Sequence, residues 1–227
     1  MSCRIIGITG GIGAGKSTVL TYLYMNYKCM VLITDMIAYE IIRNDESCLS
    51  EIKEIFKEDD IYSSSGIIDS VKVGKIIFKD NEKRKKMNAS VHPRVINFVK
   101  KECENAKEEN KIDFVLIESA LLIECGLAGY CDDIIYVTAP EEERIKRLMN
   151  GRKERGYTRE KCRRIIAGQL PDSEFLKYAS AVIDTSHTRK ESYQNADKAM
   201  EKLGFKKKQK GYGSSDIIDA IAANIDD

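Results

Sequence analysis

Ile6-Gly7-Ile8-Thr9-Gly10-Gly11-Ile12-Gly13-Ala14-Gly15-Lys16-Ser17-Thr18 is the stretch that decides the fold. Its first residues close a short apolar run that begins at Arg4, and its last open a stretch of helical character over 16–27. Between them Gly10 to Ser17 satisfies GxxxxGK[ST] in full, in the strand–loop–helix context that a phosphate-binding loop requires. Glycines let the backbone wrap phosphates with N–H groups turned inward, and the helix N-terminus adds a favourable dipole. The expected ATP cradle is Gly11, Ile12, Gly13, Ala14, Gly15, Lys16, Ser17 and Thr18. Lys16 brings a point charge to the β- and γ-phosphates. Ser17 brings a hydroxyl for Mg²⁺, an ion that keeps several waters and takes few protein ligands. A dinucleotide fingerprint begins at Gly11-Ile12-Gly13 but fails at its third glycine, where Lys16 stands.

Outward from this loop, short β-branched runs alternate with amphipathic stretches. Strands are expected at Arg4–Thr9, Met30–Thr34, Asp113–Glu118, Ile134–Thr138 and Ala181–Thr185. Each is a continuous apolar run rather than an alternating one, the mark of strands covered on both faces. Helices are expected at 16–27, 92–109, 141–150, 158–169 and 188–203, with Pro93 opening the second and Thr138 capping the third. The alternation predicts an α/β fold, a doubly wound parallel five-stranded sheet of the P-loop NTPase type. Roughly eighty residues separate the second and third strands, too many for one crossover. They carry helical patterns at 36–58, 70–79 and 81–91 broken by Ser63-Ser64-Ser65-Gly66, and read as an inserted helical sub-domain for the acceptor. The division expected is one domain over 1–205. Its core is 1–35, 112–140 and 178–205, with the insertion at 36–111, a lid at 141–177 and a mobile tail at 206–227. Within that tail Lys206-Lys207-Lys208 reads as a solvated run.

Composition narrows the function classes. Lys plus Arg (37) and Asp plus Glu (36) nearly cancel, which gives no support for bulk electrostatic binding to nucleic acid or membrane. No stretch approaches the about 18 apolar residues of a spanning helix. Seven scattered cysteines without CxxC spacing fit a reducing cytosol, and a cytoplasmic location is expected.

A GTPase would carry DxxG and NKxD after strands. No aspartate here has glycine at the third following position, and Asn110-Lys111-Ile112-Asp113 precedes a strand instead of following one. A phosphoryl-transfer kinase needs positioned charge and an acceptor-side base. Asp35, at the end of the second strand, is a candidate base, with a purely structural helix cap as the competing reading. Glu118 ends the third strand, where a carboxylate holds the Mg²⁺ shell. Arg144, Arg147, Arg152 and Arg155 give the charge density of a lid over ATP, in planar forks that suit phosphate oxygens. Lys16, Asp35 and Arg147 are the catalytic candidates.

On these residues the chain resembles the dephospho-coenzyme A kinases over roughly residues 4–186. The opening Ile6–Thr18 with its double glycine, Thr34-Asp35-Met36-Ile37-Ala38, His92-Pro93, Leu121-Leu122-Ile123-Glu124, Arg147-Leu148-Met149, Ala167-Gly168-Gln169 and Ala181-Val182-Ile183-Asp184 carry the likeness. It departs at Ile33, Tyr39, Ala120 and Thr185, the last standing where an asparagine near the adenine is common. The resemblance implies phosphorylation of the 3′-hydroxyl of dephospho-coenzyme A by ATP with Mg²⁺, the last step of coenzyme A synthesis. It implies Asp35 as base, and His92, Leu121, Leu122 and Glu124 at the acceptor. The competing reading is a diverged P-loop kinase for another nucleotide or small metabolite.

Overall fold

Ile5, Ile6 and Ile8 are each at most 1% exposed in a computed structural model that describes residues 3–151 and 157–208. They belong to β1 (Arg4–Thr9), the middle of a five-stranded sheet with β2 (Cys29–Ile33), β3 (Phe114–Glu118), β4 (Asp133–Thr138) and β5 (Ala181–Asp184) in the order β2-β3-β1-β4-β5. β1 pairs in parallel with β3 and β4, and β4 with β5. Burial on both faces is what the unbroken apolar runs demanded, and β1, β3 and β4 show it; β5, at the sheet edge, does not, since its residues alternate and Val182 is 44% exposed. Each fully buried Ile contributes about 1.5–3 kcal/mol. The doubly wound parallel sheet expected from the sequence is the architecture observed.

The helices are α1 (Lys16–Asn26), α2 (Thr34–Asn44), α3 (Glu46–Ile55), α4 (Ser70–Lys79), α5 (Asn81–Glu109), α6 (Glu141–Gly151), α7 (Arg159–Ala167), α8 (Asp172–Tyr178) and α9 (Arg189–Lys202). α9 opens on a capping box, in which Thr188 and Glu191 satisfy each other's backbone amides. The chain forms two compact units. One takes the residues up to Leu32 and those from Asn105 onward, and so holds most of the sheet; the other is Ile33–Glu104.

Within the second unit, Cys48, Ile52, Phe56, Ile61, Val73, Val91, Val95 and Val99 are buried. Arg94 bonds Glu51 at 2.8 Å and Ser47 at 2.7 Å, tying α5 to α3. Two sequence expectations fail here. The single helix over 36–58 is broken at Asp45, whose carboxylate accepts the Cys48 amide at 2.8 Å and caps α3. Pro93 does not open a helix: it lies inside α5, an unbroken 29-residue element. Proline removes one hydrogen bond, but Pro93 and Ala89, whose carbonyl it leaves free, are both exposed, so water can satisfy that group. The buried stripe runs past it on the opposite face.

In the first unit Thr138 is the last residue of β4 and stands two residues short of α6, which begins at Glu141; its carbonyl accepts the Thr185 amide at 2.9 Å. α8 was not anticipated. The start of the expected tail is tied down: Lys207 pairs with Asp197 at 2.7 Å, and Lys208 donates to the Tyr24 carbonyl at 3.1 Å. Lys206 and Lys207 are exposed, as a solvated run requires, but Lys207 and Lys208 are also bonded to the first unit, and residues 209–227 lie outside those described. Among the described residues no helix is long and apolar enough to cross a membrane.

Candidate active site

β1 delivers the chain into the Gly10–Ser17 loop, and α1 leaves it. Gly15 is the N-cap of α1 with φ 88°, a left-handed conformation that a side chain would strain. No side chain caps α1 and no acid stands in its first turn, so the positive end of the helix is left for an anion. The Ala14 amide closes a turn onto the Gly11 carbonyl at 3.1 Å. Lys16 lies back across the loop, its Nζ 2.7 Å from the Gly10 carbonyl and 3.4 Å from that of Gly11.

The loop is braced by α6, by Gln169 after α7 and by Thr185, the residue after β5. Arg144, 8% exposed, donates Nε to the Ile12 carbonyl at 2.9 Å and Nη2 to Gln169 Oε1 at 2.8 Å. Its guanidinium lies so close to Gly11 that an added Cβ would stand 2.1 Å from Nη2, so a side chain there would displace the guanidinium from Ile12 O and Gln169. Gln169 Oε1 also accepts the Ile12 amide at 3.0 Å. Ile12 therefore spends its amide on Gln169, and its side chain packs on Ile145, Leu148 and Cys162. Arg147 donates to the Gly13 carbonyl at 3.2 Å and to Thr185 Oγ1 at 2.9 Å. The Thr185 hydroxyl in turn donates to the Ala14 carbonyl at 2.7 Å. Beside this brace opens a cavity of about 660 Å³, lined by Gly15, Thr18, Arg147, Asn150, Thr185 and His187 among others. It is large enough for a nucleoside next to the loop.

Glu118 ends β3 and pairs in register with Ile8, two residues before the loop. The Ser17 hydroxyl is exposed and makes no hydrogen bond among the described residues. One hydroxyl and one carboxylate fit Mg²⁺, which binds through few protein groups. Asp35 stands in the first turn of α2, exposed and without a hydrogen bond or ion pair among the described residues. The N-cap of α2 is Ile33, with no side-chain bond, because β2 ends one residue earlier than expected. Asp35 is thus not employed as a cap.

The acceptor candidates fare unevenly. Leu122 is fully buried and packs against Gly7, so it is a core residue rather than a ligand contact. Leu121 and Glu124 are exposed. His92 sits mid-helix and half-buried, with burial holding its pKa below the ordinary value. Arg144 is a buried brace rather than a mobile lid residue, and Arg152 and Arg155 lie outside the described residues. Sequence reasoning assigned no role to Gln169 and noted Thr185 only as a departure. Their bonds to the loop span 157 and 171 residues, and no local pattern reports them.

A family model described as dephospho-CoA kinase matches residues 4–191. The dephospho-CoA kinase of Fusobacterium nucleatum subsp. nucleatum is 34% identical over 204 residues, covering 89% of this chain and 100% of that one. That of Bacillus licheniformis is 37% identical over 188 residues, covering 83% and 90%. Among solved structures, a Thermus thermophilus protein is similar at 32% identity with a TM-score of 0.72, covering 88% of this chain and 97% of that one.

Proposed function

The chain belongs to the dephospho-CoA kinase family, and on that premise we propose that Lys16, Ser17, Glu118, Asp35 and Arg147 carry out the transfer of phosphoryl from MgATP to the 3′-hydroxyl of dephospho-coenzyme A. The activity is ATP-dependent phosphorylation of dephospho-CoA to CoA. The observation that supports these roles best is the loop itself: an uncapped helix N-terminus, glycines at the close approaches, and a lysine lying across it.

Phosphoryl transfer passes through a loose transition state in which alignment and charge neutralisation do most of the work. The inward amides and Lys16 cradle the β- and γ-phosphates. Ser17 and Glu118 would hold Mg²⁺, which supplies charge neutralisation at phosphate oxygens. Arg147 borders the cavity beside Thr18, where its guanidinium would contact the nucleotide. Asp35, which makes no hydrogen bond or ion pair among the described residues, aligns the acceptor hydroxyl and takes its proton. Residues 36–111 serve as the acceptor sub-domain and 141–177 as the lid, in a cytoplasmic enzyme.

The test is product analysis. Incubated with MgATP and dephospho-CoA, the purified chain yields CoA and ADP in equal amounts. ATP hydrolysis without CoA would overturn the reading.

A further inference from the structure

Three hydrogen bonds reach the phosphate loop from α6 and from Thr185, the residue after β5, and every one lands on a carbonyl oxygen. Arg144 bonds Ile12 O, Arg147 bonds Gly13 O, and Thr185 bonds Ala14 O. In a trans peptide unit the C=O and N–H point in opposite directions, and no cis bond occurs among the described residues. Pinning Ile12 O toward Arg144 therefore turns the Gly13 amide away from Arg144. Pinning Ala14 O toward Thr185 turns the Gly15 amide away from Thr185. The middle peptide differs, because its Ala14 amide is already committed to Gly11 O. Gly15 is the N-cap of α1, so its amide belongs to the helix end that is left open to an anion.

The Thr185 hydroxyl is the most constrained member of the set. It has one proton to give, and Ala14 O at 2.7 Å is the nearer acceptor. Thr138 O, at 3.2 Å, already takes the Thr185 amide. Its lone pair accepts Arg147 Nη1 at 2.9 Å, and the Thr185 carbonyl accepts Arg147 Nη2. Thr185 is 3% exposed, so water is a poor substitute for either partner.

We propose that Thr185 is a positioning residue for the phosphoryl donor: it aims the Gly15 amide into the phosphate cradle and fixes Arg147 at the edge of the same site. The proposal rests on the reading of this loop as the ATP cradle. Its mark is that the effect follows the phosphates, because the Ala14–Gly15 peptide addresses them and not the nucleoside.

The experiment is calorimetric titration of ADP and of adenosine into wild type, Thr185→Val and Thr185→Ser. Valine keeps the shape and deletes the hydroxyl; serine restores it. Thr185→Val should weaken ADP about fivefold or more, the effect of losing one oriented hydrogen bond. Adenosine, which carries no phosphate, should lose clearly less than ADP although Thr185 also lines the cavity beside the loop, and Thr185→Ser should recover ADP. Equal loss of both ligands, no loss, or failure of serine to rescue would each overturn the proposal. Should Thr185→Val not fold, the wild-type Gly15 amide proton decides: ADP moves its NMR resonance downfield, and a resonance that adenosine shifts equally sinks the idea. Absence of ADP binding by wild type would instead defeat the ATP-cradle reading itself, a separate result.

Discussion

Arg147 and Thr185 hold each other by two bonds, one guanidinium nitrogen on the hydroxyl at 2.9 Å and the other on the carbonyl of the same residue. Since Arg147 also reaches Gly13 O, its planar fork is fixed against the loop before any substrate arrives. Arginine held in this way loses little further entropy on meeting a nucleotide.

Arg147→Lys is therefore not a conservative change. Lysine keeps the charge, but its single ammonium lacks the fork that spans Gly13 O, Thr185 Oγ1 and Thr185 O together. Steady-state kinetics should show kcat/KM for ATP reduced roughly tenfold or more, the worth of one to two charge-assisted bonds. A variant with wild-type kcat/KM would show that the charge alone suffices.

Lys16→Ala should remove turnover by at least roughly 10²-fold, the loss expected when a donor to the developing charge is deleted. Lys16 is partly exposed and bonds the carbonyls of Gly10 and Gly11 within its own loop, so the melting temperature should stay close to wild type. Retained turnover would take Lys16 out of the mechanism, and collapse of the melting transition would make its role structural.

Asp35→Asn should lower kcat by roughly 10²–10⁴-fold with the KM for ATP little changed, the range for a general base. The alternative, a helix cap, has lost its footing because Ile33 occupies the N-cap of α2 and no side chain bonds there. A drop below about threefold would remove Asp35 from proton transfer.

The parts of the molecule legible in its sequence are those governed by local rules. β1 is recovered residue for residue, because continuous apolar runs have one reading in a doubly covered sheet. Loop glycines and Lys16 are fixed by the chemistry of phosphate. α5 was misread at Pro93 although a signal was present: Val91, Val95, Val99 and Cys103 recur at four-residue steps straight past the proline. α8 spans seven residues and buries only Phe175, too little for periodicity to register. Leu122 was assigned to the acceptor from a motif, and only its packing against Gly7 reveals a core residue. The Gln169 and Thr185 braces depend on tertiary folding alone.

Glu51 supplies a pH test of the second unit. Its bonds to Arg94, followed by that from Ser90, draw its pKa from 4.5 down to about 2. The unfolded chain then binds more protons than the folded one between those values, so stability rises with pH across that window. Stability should be full above about pH 4.5 and fall as the pH drops toward 2. Carboxyl NMR titration should find Glu51 well below the other glutamates, and Arg94→Met should return it toward them. A Glu51 that titrates with the rest in wild type would contradict the pair.

The last prediction concerns the acceptor. A long substrate makes contacts far from its reacting hydroxyl, and binding energy from such remote contacts is used to align the reacting centre. Adenosine presents a ribose 3′-hydroxyl but lacks the pantetheine arm and the diphosphate of dephospho-CoA. With MgATP saturating, adenosine should therefore show a reduced kcat as well as a raised KM, rather than a raised KM alone. Shikimate should not be turned over, since no part of it reproduces the nucleotide that carries the reacting hydroxyl. His92, half-buried in α5 with its pKa lowered by that burial, allows a further separation. If it meets the acceptor, His92→Ala raises the KM for dephospho-CoA and leaves the KM for ATP unchanged. Equal kcat for adenosine and dephospho-CoA would mean that remote contacts do not align the acceptor, and the acceptor role assigned to residues 36–111 would then have to be withdrawn.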